Sequence, residues 1–256
     1  MNVLLVQLDL TWEDPEANYQ AARRLLARRT DLEGSLIVLP EMFATGFSMN
    51  VEAVVAGEPS RTESVIAELA MTHRATVVGG LGQRSTNGKG ANLAIVVDPE
   101  GRRIAEYSKI HPFTYGGEDD HYDRGDAITT FDWAGIKVCP FVCYDLRFPE
   151  VFRAGVAQGA ELFCVIANWP IRRAMHWVTL LQARAIENLA YVVGVNRCGT
   201  DPSFTYPGRS LVADPHGIII ADAADRETVV SCEVDATVVR EWRQAFPALD
   251  DIHFTA

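Results

Sequence analysis

The stretch KVCPFVCYDLRFPE, residues 137–150, decides the fold. It begins with short apolar residues in the pattern of a β-strand and turns polar directly after Cys143. Pro149 suits the first position of a helix, and Gly159 suits the position that follows one. The pattern predicts a strand, a tight turn and a helix over 150–158, with Cys143 at the end of the strand.

Cys143 has two interpretations on this stretch alone. Free cysteines are usually core residues, so a buried structural thiol is one interpretation. The other is a reactive thiol, because backbone N–H groups at the start of a turn or helix favour the thiolate and can donate to an oxyanion. Tyr144, Asp145, Arg147 and Glu150 follow closely, and such polar neighbours are unusual for a core thiol. The strand-to-helix junction leaves both interpretations open.

The composition narrows the class of protein. The chain has 256 residues, of which 48% are apolar, and a formal net charge of -11. Nucleic-acid binding needs a basic face, so this charge disfavours it. The N-terminal MNVLLVQLDL lacks a basic start and is interrupted by Gln7 and Asp9, so we interpret it as a strand rather than a signal peptide. No apolar run approaches the length of a membrane span, and we expect no membrane partner.

The five cysteines indicate a reducing compartment. They stand at positions 139, 143, 164, 198 and 232 without a CxxC pair, in a chain too long to depend on a disulfide framework. The expected location is the cytoplasm. The six histidines form no HxH or HxxxH pair, and none lies within four residues of a cysteine. We therefore expect no zinc site, and no cofactor is implied.

Apolar periodicity predicts strands and helices that alternate along the chain. The predicted strands cover 3–9, 36–39, 76–81, 92–97, 102–109, 128–133, 136–142, 162–167, 191–196, 211–213, 218–221 and 228–234. The predicted helices cover 15–29, 60–73, 150–158 and 174–189, and Ser60 with Glu63 fits a capping box. Two turns of the form Asp-Pro-x-Gly, at 98–101 and 214–217, predict two hairpins. The loop 110–126 is long and rich in aromatic residues, which is typical of a functional loop.

The predicted elements indicate one α/β domain over 1–256. No linker or change of composition divides the chain. Helices must cover the strands, which predicts a layered sandwich, and the hairpins require mixed rather than purely parallel sheets. The tail 240–256 is expected to pack on its own subunit or on a partner, because it carries Trp242, Phe246 and Phe254.

Polar residues occur where several predicted strands end. Glu41 follows LIVLP, Lys109 ends RRIAEYSK, Cys143 ends VCPFV, and Asn168 and Trp169 follow FCVIA. Ligand sites of α/β sheets gather at strand ends, so a thiol, a carboxylate and an ammonium could be assembled there. Taken singly, Glu41 and Lys109 have a plainer explanation as exposed surface residues, since Glu and Lys are mostly exposed.

Three of these stretches resemble the signature motifs of the nitrilase superfamily, the carbon–nitrogen hydrolases. They are LPEMFATGF around Glu41, YSKIHPF around Lys109 and CYDLRFPE around Cys143, in the order and spacing of that family. Gly117-Glu118 resembles the stretch around the family's second, supporting glutamate. The resemblance covers nearly the whole chain, and it implies a four-layer α-β-β-α sandwich with two mixed sheets that usually forms a homodimer.

Further residues resemble the ω-amidase branch of the family, the 2-oxoglutaramate and 2-oxosuccinamate amidases. They are Asn168-Trp169-Pro170, Arg173, Trp177 and the run LLQARAIEN at 180–188. The branch implies hydrolysis of the terminal amide of a small carboxylate-bearing substrate to an acid and ammonia.

The expected roles agree with the chemistry of amide hydrolysis. An amide is a weak electrophile, so the thiol of Cys143 would serve as nucleophile and form a thioester, with Glu41 as general base. Lys109 and the backbone N–H of Tyr144 would stabilise the tetrahedral oxyanion. Glu118 would hold Lys109 and order the substrate amide or the attacking water.

The distal carboxylate of such a substrate suits a fixed guanidinium. Arg173 is our candidate and Arg172 the second choice, while the alternative is that both are solvated at the start of a helix. Asn168 is expected beside the substrate. The expected walls of the pocket are aromatic: Phe43, Phe47, Phe113, Tyr115 and Trp169. Aromatic residues at such positions are also common in plain cores.

Other functions remain open on the sequence. A nitrilase or an N-carbamoyl amidohydrolase could use the same Glu41, Lys109 and Cys143. A non-catalytic scaffold of the same fold is a different class of protein, but it would need none of the three. A thiol-redox protein is a weaker alternative, because Cys139 and Cys143 are four residues apart on a strand, which places them more than ~10 Å apart.

Overall fold

The computed structural model describes residues 1–55 and 60–253, and of Ser60 the backbone alone. In these residues there are fifteen strands: β1 Asn2–Gln7, β2 Leu36–Val38, β3 Thr76–Arg84, β4 Gly90–Val97, β5 Arg103–Ser108, β6 Tyr122–Asp123, β7 Phe131–Trp133, β8 Ile136–Val142, β9 Leu162–Ala167, β10 Tyr191–Asn196, β11 Cys198–Thr200, β12 Thr205–Pro207, β13 Leu211–Ala213, β14 Ile219–Asp222 and β15 Thr228–Glu233.

Seven α-helices occur in the same residues: α1 Pro15–Leu26, α2 Val51–Val55, α3 Ser60–His73, α4 Glu118–His121, α5 Pro149–Ala157, α6 Ala174–Asn188 and α7 Ala236–Ala245. Three short 3₁₀ turns accompany them, at Thr114–Gly116, Cys143–Arg147 and Ile171–Arg173. No helix of the described chain is both long and apolar enough to cross a bilayer.

Two mixed sheets form the centre of the fold. The first has the strand order β15-β1-β2-β3-β4-β5, with β6 beside β4. The second has the order β14-β13-β10-β9-β8-β7. In each sheet three neighbouring strands are parallel, β1–β2–β3 in the first and β8–β9–β10 in the second. Antiparallel pairs extend each sheet on both sides of these strands.

The alternation of side chains along β1 shows how the layers are stacked. Val3 and Leu5 pack into the apolar cluster that lies between the two sheets and extends to the far side of the second sheet, where Phe152 and Trp177 cover it. Leu4 and Val6, one residue out of phase, pack with residues of α1 and α3 on the other side. The result is a four-layer α-β-β-α sandwich, as expected from the sequence.

Both predicted hairpins are confirmed. The Gly101 N–H donates to the Asp98 carbonyl at 2.9 Å between β4 and β5, and the Gly217 N–H donates to the Asp214 carbonyl at 2.8 Å between β13 and β14. The predicted capping box needs the side chain of Ser60, which lies outside the described residues.

The tail 240–256 begins inside α7, a helix that the sequence pattern did not predict. This helix follows an Asp235 cap whose side chain accepts from the Thr237 N–H. Arg243 of α7 donates to the backbone carbonyls of Ala160, Asn188 and Leu189, so the helix packs on its own chain. Phe254 lies outside the described residues.

Candidate active site

Cys143 occupies a strained position at the end of β8. Its φ is +47°, a left-handed conformation that side-chain-bearing residues rarely adopt, and a 3₁₀ turn begins there. The turn lifts the side chain off the strand direction, and the Sγ lies 3.9 Å from the Asn168 carbonyl oxygen at the end of β9. Such strain is typical of functional sites.

Asp145 holds this turn in place. It is completely buried, and its Oδ2 accepts from the Tyr107 hydroxyl at 2.9 Å and from the Val142 N–H at 3.1 Å. Its Oδ1 accepts from the His111 N–H at 3.0 Å and lies 2.8 Å from His111 Nδ1. One carboxylate therefore ties the end of β8 to the segment that follows β5, where Lys109 lies.

Glu41 follows β2 and is completely buried. Its Oε2 accepts from the backbone N–H of Asn168 at 2.8 Å, and its Oε1 accepts from Lys109 Nζ at 3.0 Å and from Asn92 Nδ2 at 2.8 Å. The Asn168 side chain also donates to the Glu41 carbonyl at 2.8 Å. This set of donors fixes the carboxylate and keeps the cost of burying it low.

Lys109 and Glu118 complete a buried ionic cluster. The Lys109 ammonium donates to Glu118 Oε2 at 2.8 Å and to Oε1 at 3.0 Å, and Glu118 also accepts from the Phe113 N–H at 2.6 Å. Burial alone would lower the pKa of Lys109, but the negative charges of Glu118 and Glu41 outweigh it and raise that pKa above its ordinary value. Lys109 is therefore a permanent cation between two carboxylates.

The surroundings of Cys143 favour its neutral thiol over the thiolate. Burial, and next the negative charge of Glu41, raise the pKa of Cys143 well above its ordinary value, although Lys109 opposes the shift. The backbone N–H groups of the turn do not reverse this. A nucleophile at this position therefore needs a base beside it, and Glu41 is close enough to dominate its electrostatic environment.

Two connected chambers lead to Cys143. The inner chamber, about 30 Å³ in volume, is lined by Phe47, Phe113, Cys143, Tyr144, Arg147, Asn168, Trp169, Pro170, Arg173, Phe204 and Tyr206. The outer chamber, about 700 Å³, shares Phe47, Phe113, Pro170, Arg173 and Phe204 with it and opens toward solvent. Only a narrow, small group can approach the thiol through the inner chamber.

The expected aromatic walls divide into three groups. Phe47, Phe113 and Trp169 line the inner chamber. Tyr115 lines the outer chamber and is 87% exposed. Phe43 is completely buried beside Tyr19 on the helix-covered face of the first sheet, and it lines neither chamber.

The two candidate arginines line different parts of the pocket. Arg173 lines both chambers, and its guanidinium lies 5.1 Å from the centre of the Phe113 ring. Arg172 lines the outer chamber and a shallower surface cleft, away from Cys143. Of these two arginines, Arg173 is therefore the one that lines the chamber containing Cys143.

Several residues of the site were missed by the sequence reasoning, and Asn92 and Arg147 are the two that matter most for the chemistry. Asn92 donates one amide group to both glutamates, at 2.8 Å to Glu41 and 2.9 Å to Glu118, but it lies inside β4 rather than at a strand end. Arg147 lines the inner chamber. Its position two residues after Asp145, in the polar stretch that follows Cys143, could have indicated that it belongs to the site.

No group of three or more His, Cys, Asp or Glu side chains in the described residues is arranged to hold a metal ion. The ionisable groups around Cys143 form ion pairs with one another, because one ammonium lies between two carboxylates. This donor set is suited to moving a proton rather than to binding a cation.

The chain is similar to several characterised proteins. It is 38% identical over 253 residues to the omega-amidase YafV of Escherichia coli (strain K12), covering 98% of this chain and 96% of that protein. It is 32% identical over 248 residues to the 2-oxoglutaramate amidase of Bacillus subtilis (strain 168), covering 96% and 95%. Among solved structures, XC1258 from Xanthomonas campestris, described as a CN-hydrolase superfamily protein, is similar with a TM-score of 0.92 at 35% identity, covering 100% and 98%.

The family of this protein follows from a match over almost the full length of the chain. Residues 2–244 match the Carbon-nitrogen hydrolase family, a range that includes every residue of the site described above. The chain therefore belongs to the carbon–nitrogen hydrolases, and it is an enzyme that acts on C–N bonds.

Proposed function

We propose that this enzyme hydrolyses the terminal amide of a small carboxylate-bearing amide, of the 2-oxoglutaramate or 2-oxosuccinamate type, to an acid and ammonia through a cysteine thioester. The observation that carries the proposal is the buried cluster of Glu41, Lys109 and Glu118 beside the strained Cys143. The omega-amidase and 2-oxoglutaramate amidase names of similar proteins support the choice of substrate.

Acylation begins with the neutral thiol. Glu41 accepts the Cys143 proton as the sulfur attacks the amide carbon, so negative charge leaves the carboxylate and appears on the substrate oxygen. Lys109 lies within hydrogen-bond distance of Glu41, and its bond to that carboxylate weakens once Glu41 is protonated. The ammonium can then donate to the new oxyanion, together with the Tyr144 N–H, each donor being worth about 3 kcal/mol.

The tetrahedral intermediate collapses when the C–N bond breaks. Glu41 returns its proton to the departing nitrogen, ammonia leaves, and the acyl group remains on Cys143 as a thioester. Glu41, again a carboxylate, then takes a proton from water as the water oxygen attacks the thioester carbon. Breaking the C–S bond returns the proton to the sulfur and releases the acid. Glu118 holds Lys109 throughout, as its two contacts with the ammonium support.

The far end of the substrate is held by Arg173. Its side chain lines both chambers, and its guanidinium lies over the ring of Phe113. Asn168, Trp169, Phe47 and Phe113 form the walls beside the reacting amide, while Tyr115 lies at the entrance. The inner chamber receives only the reacting end of the substrate, while Arg173, which lines both chambers, meets the far end.

Ammonia release from a panel of substrates tests this proposal. We expect 2-oxoglutaramate and 2-oxosuccinamate to be turned over with a kcat/KM far above that of a simple nitrile or an N-carbamoyl amino acid. Arg173→Ala should raise KM strongly for the 2-oxo dicarboxylic monoamides and much less for uncharged amides, since removing one partner of such a charged contact costs about 2 kcal/mol or more.

Different outcomes of the panel separate the alternatives. Preferred turnover of the nitrile would make the enzyme a nitrilase, and carbon dioxide formed together with ammonia would make it a carbamoylase. An equal effect of Arg173→Ala on charged and uncharged amides would remove Arg173 from the carboxylate role.

We further propose that the protein is a cytoplasmic homodimer with one domain over residues 1–256. Five free cysteines support a reducing compartment. Apolar side chains exposed at Ile186, Ile218 and Phe246 support a subunit interface. Light scattering after gel filtration should give twice the chain mass of 28.2 kDa. A mass equal to that of a single chain at every protein concentration would contradict the dimer.

A further inference from the structure

The inner chamber contains a second guanidinium besides that of Arg173. Arg147 belongs to the 3₁₀ turn that begins at Cys143, and its side chain lines the inner chamber. In the described chain no carboxylate lies within 4.0 Å of the nitrogens of Arg147 or Arg173. Most other arginines near the surface have such a partner, for example Arg23 with Glu68 and Arg209 with Asp222.

Arg147 is held in a fixed orientation by neutral groups. Its guanidinium lies 4.9 Å from the Trp169 ring centre and 5.9 Å from that of Tyr144. It donates to His176 Nδ1 at 3.1 Å, a contact that requires the neutral imidazole. Aromatic and imidazole contacts leave several of its five N–H donors free.

The charges of the two arginines reinforce each other. Burial lowers the pKa of Arg147, the neighbouring Tyr144 opposes this, and the positive charge of Arg173 adds to the lowering. Both guanidinium groups nevertheless stay charged at every working pH. Two like charges that line one chamber without a counter-ion make it favourable for anionic and oxygen-rich ligands and unfavourable for cations.

We infer that Arg147 recognises the oxygen on C2 of the substrate and rejects an ammonium at the same carbon, so that the enzyme selects 2-oxo acid monoamides over 2-amino acid monoamides. This inference rests on the proposed function, in which Arg173 binds the neighbouring carboxylate. A 2-oxo oxygen accepts hydrogen bonds from a guanidinium. The ammonium of glutamine or asparagine has no acceptor and would meet two positive charges in a partly desolvated chamber.

The experiment compares Arg147→Gln with wild type on three substrates that differ only at C2: 2-oxoglutaramate, glutaramate and glutamine. Loss of a hydrogen bond to a charged group predicts a fall in kcat/KM for 2-oxoglutaramate of about 10- to 100-fold. The kcat/KM for glutaramate, which has a methylene at C2, should change by less than about threefold, and the kcat/KM for glutamine should rise. Arg28→Gln, at an exposed arginine just after α1 that lines neither chamber, is the matched control and should leave all three values unchanged.

The three substrates also separate a specific role from a structural one. A disturbed turn at Cys143 would lower kcat/KM equally for 2-oxoglutaramate and glutaramate, and that result would overturn the inference, as would an unchanged preference for 2-oxoglutaramate over glutamine. The wild-type enzyme reports on the proposed function independently. If it turned over none of the three substrates, the proposed function and this inference would both be wrong.

Discussion

At the scale of single residues, the nucleophile of this site is a thiol that is not ionised before the reaction. The pKa of Cys143 is raised first by burial and next by the charge of Glu41. The same Glu41 is fixed by donors from Asn168, Lys109 and Asn92, so it is in place to take the proton during attack rather than before it. A resting thiol also resists oxidation, because the thiolate is the reactive form.

Removal of the base should change how alkylation of Cys143 depends on pH. In Glu41→Gln the thiol loses its proton acceptor, but it also loses the negative charge that raises its pKa after burial. Burial, the larger cause, remains, so the loss of the acceptor should outweigh the gain in thiolate and labelling by iodoacetamide at pH 7 should fall. Burial still raises the pKa above the ordinary 9.0, so the labelling rate should then climb about tenfold per pH unit between pH 7 and 9 as the thiolate forms by titration alone. Mass spectrometry of the Cys143 peptide measures both rates.

The half-buried Cys232 is the internal control for this experiment. It lies on β15, away from the site, and its labelling should be the same in wild type and in Glu41→Gln. If the variant labelled Cys143 as fast as wild type at pH 7, with the same dependence on pH, Glu41 would not be the base.

Single residues were also where sequence reasoning succeeded and failed most clearly. Glu41, Lys109, Glu118 and Cys143 lie far apart in the chain but meet in space, as their motifs implied. Asn92 belongs to no such motif. Asparagine is common in turns and at the edges of sheets, so an asparagine beside apolar residues did not indicate a place in the active site. Its function depends on which side chains face it across the sheet, and that pairing is a three-dimensional property.

At the scale of elements, β3 sets the position of Glu41. A Cβ added to Gly80 would lie 2.5 Å from the Glu41 Cα and 2.5 Å from the Met42 nitrogen, closer than atoms can approach. The backbone after β2 therefore lies directly against β3, and the Gly80 N–H donates to the Pro40 carbonyl at 3.2 Å. Glycine is needed here because of this close approach and not because of a turn.

Gly80→Ala should displace Glu41 and lower kcat by about 100-fold, which is the effect of a shift of ~1 Å in a catalytic group. Gly79→Ala is the matched control in the same strand. Its Cβ would meet Ile66 Cδ1 at 2.7 Å, the far end of a flexible side chain on the opposite face of the sheet. We expect this control to lose some stability but to keep most of its kcat for ammonia release.

Thermal denaturation shows whether the two variants are folded. Equal losses of kcat in Gly79→Ala and Gly80→Ala would mean that the strand tolerates neither change, and would contradict a specific role for Gly80 beneath Glu41.

Most elements could be predicted from the sequence because their physical signals are local. The helix over residues 60–73 and the strands over 162–167 and 191–196 have the predicted bounds. Helical spacing of apolar residues specifies the helix, and short, nearly continuous apolar runs specify the two strands. Helix α7 was missed because its buried face is narrow: only Ala236 and Val239 are buried. The order of strands in each sheet could not be predicted from local signals, since it depends on pairings between distant segments.

At the scale of the whole molecule, the site exists only because two sheets meet. Glu41 and Lys109 come from the first sheet, whereas Cys143 and Asn168 come from the ends of β8 and β9 in the second. The hydrogen bonds between Asn168 and Glu41 therefore also join the two halves of the sandwich. Function and stability are coupled at this point.

This coupling predicts a pH-dependent contribution of Lys109 to stability. Its pKa in the folded protein lies above the ordinary 10.5, so its contribution to the free energy of unfolding is complete below pH 10.5 and is lost as the pH rises through the higher folded value. Removing one partner of a buried ion pair costs about 3–5 kcal/mol. Urea denaturation at pH 8 should show such a difference between wild type and Lys109→Met.

The same difference should shrink at alkaline pH. Titration of lysines and tyrosines away from the site is common to both proteins and cancels in the comparison. The remaining change above pH 10.5 belongs to Lys109 and to the two groups whose pKa its charge lowers, Tyr122 and Cys143. A difference that stayed constant from pH 8 to the highest accessible pH would contradict the raised pKa of this ammonium.

The central claim is that the Cys143 sulfur carries the acyl group while Glu41 moves the proton. Ammonia release from 2-oxoglutaramate by purified Cys143→Ala and Cys143→Ser, with circular dichroism as the measure of folding, tests it most directly. Both variants should fold as wild type and release no ammonia above the uncatalysed rate. Wild-type activity in a folded Cys143→Ala protein would contradict the claim.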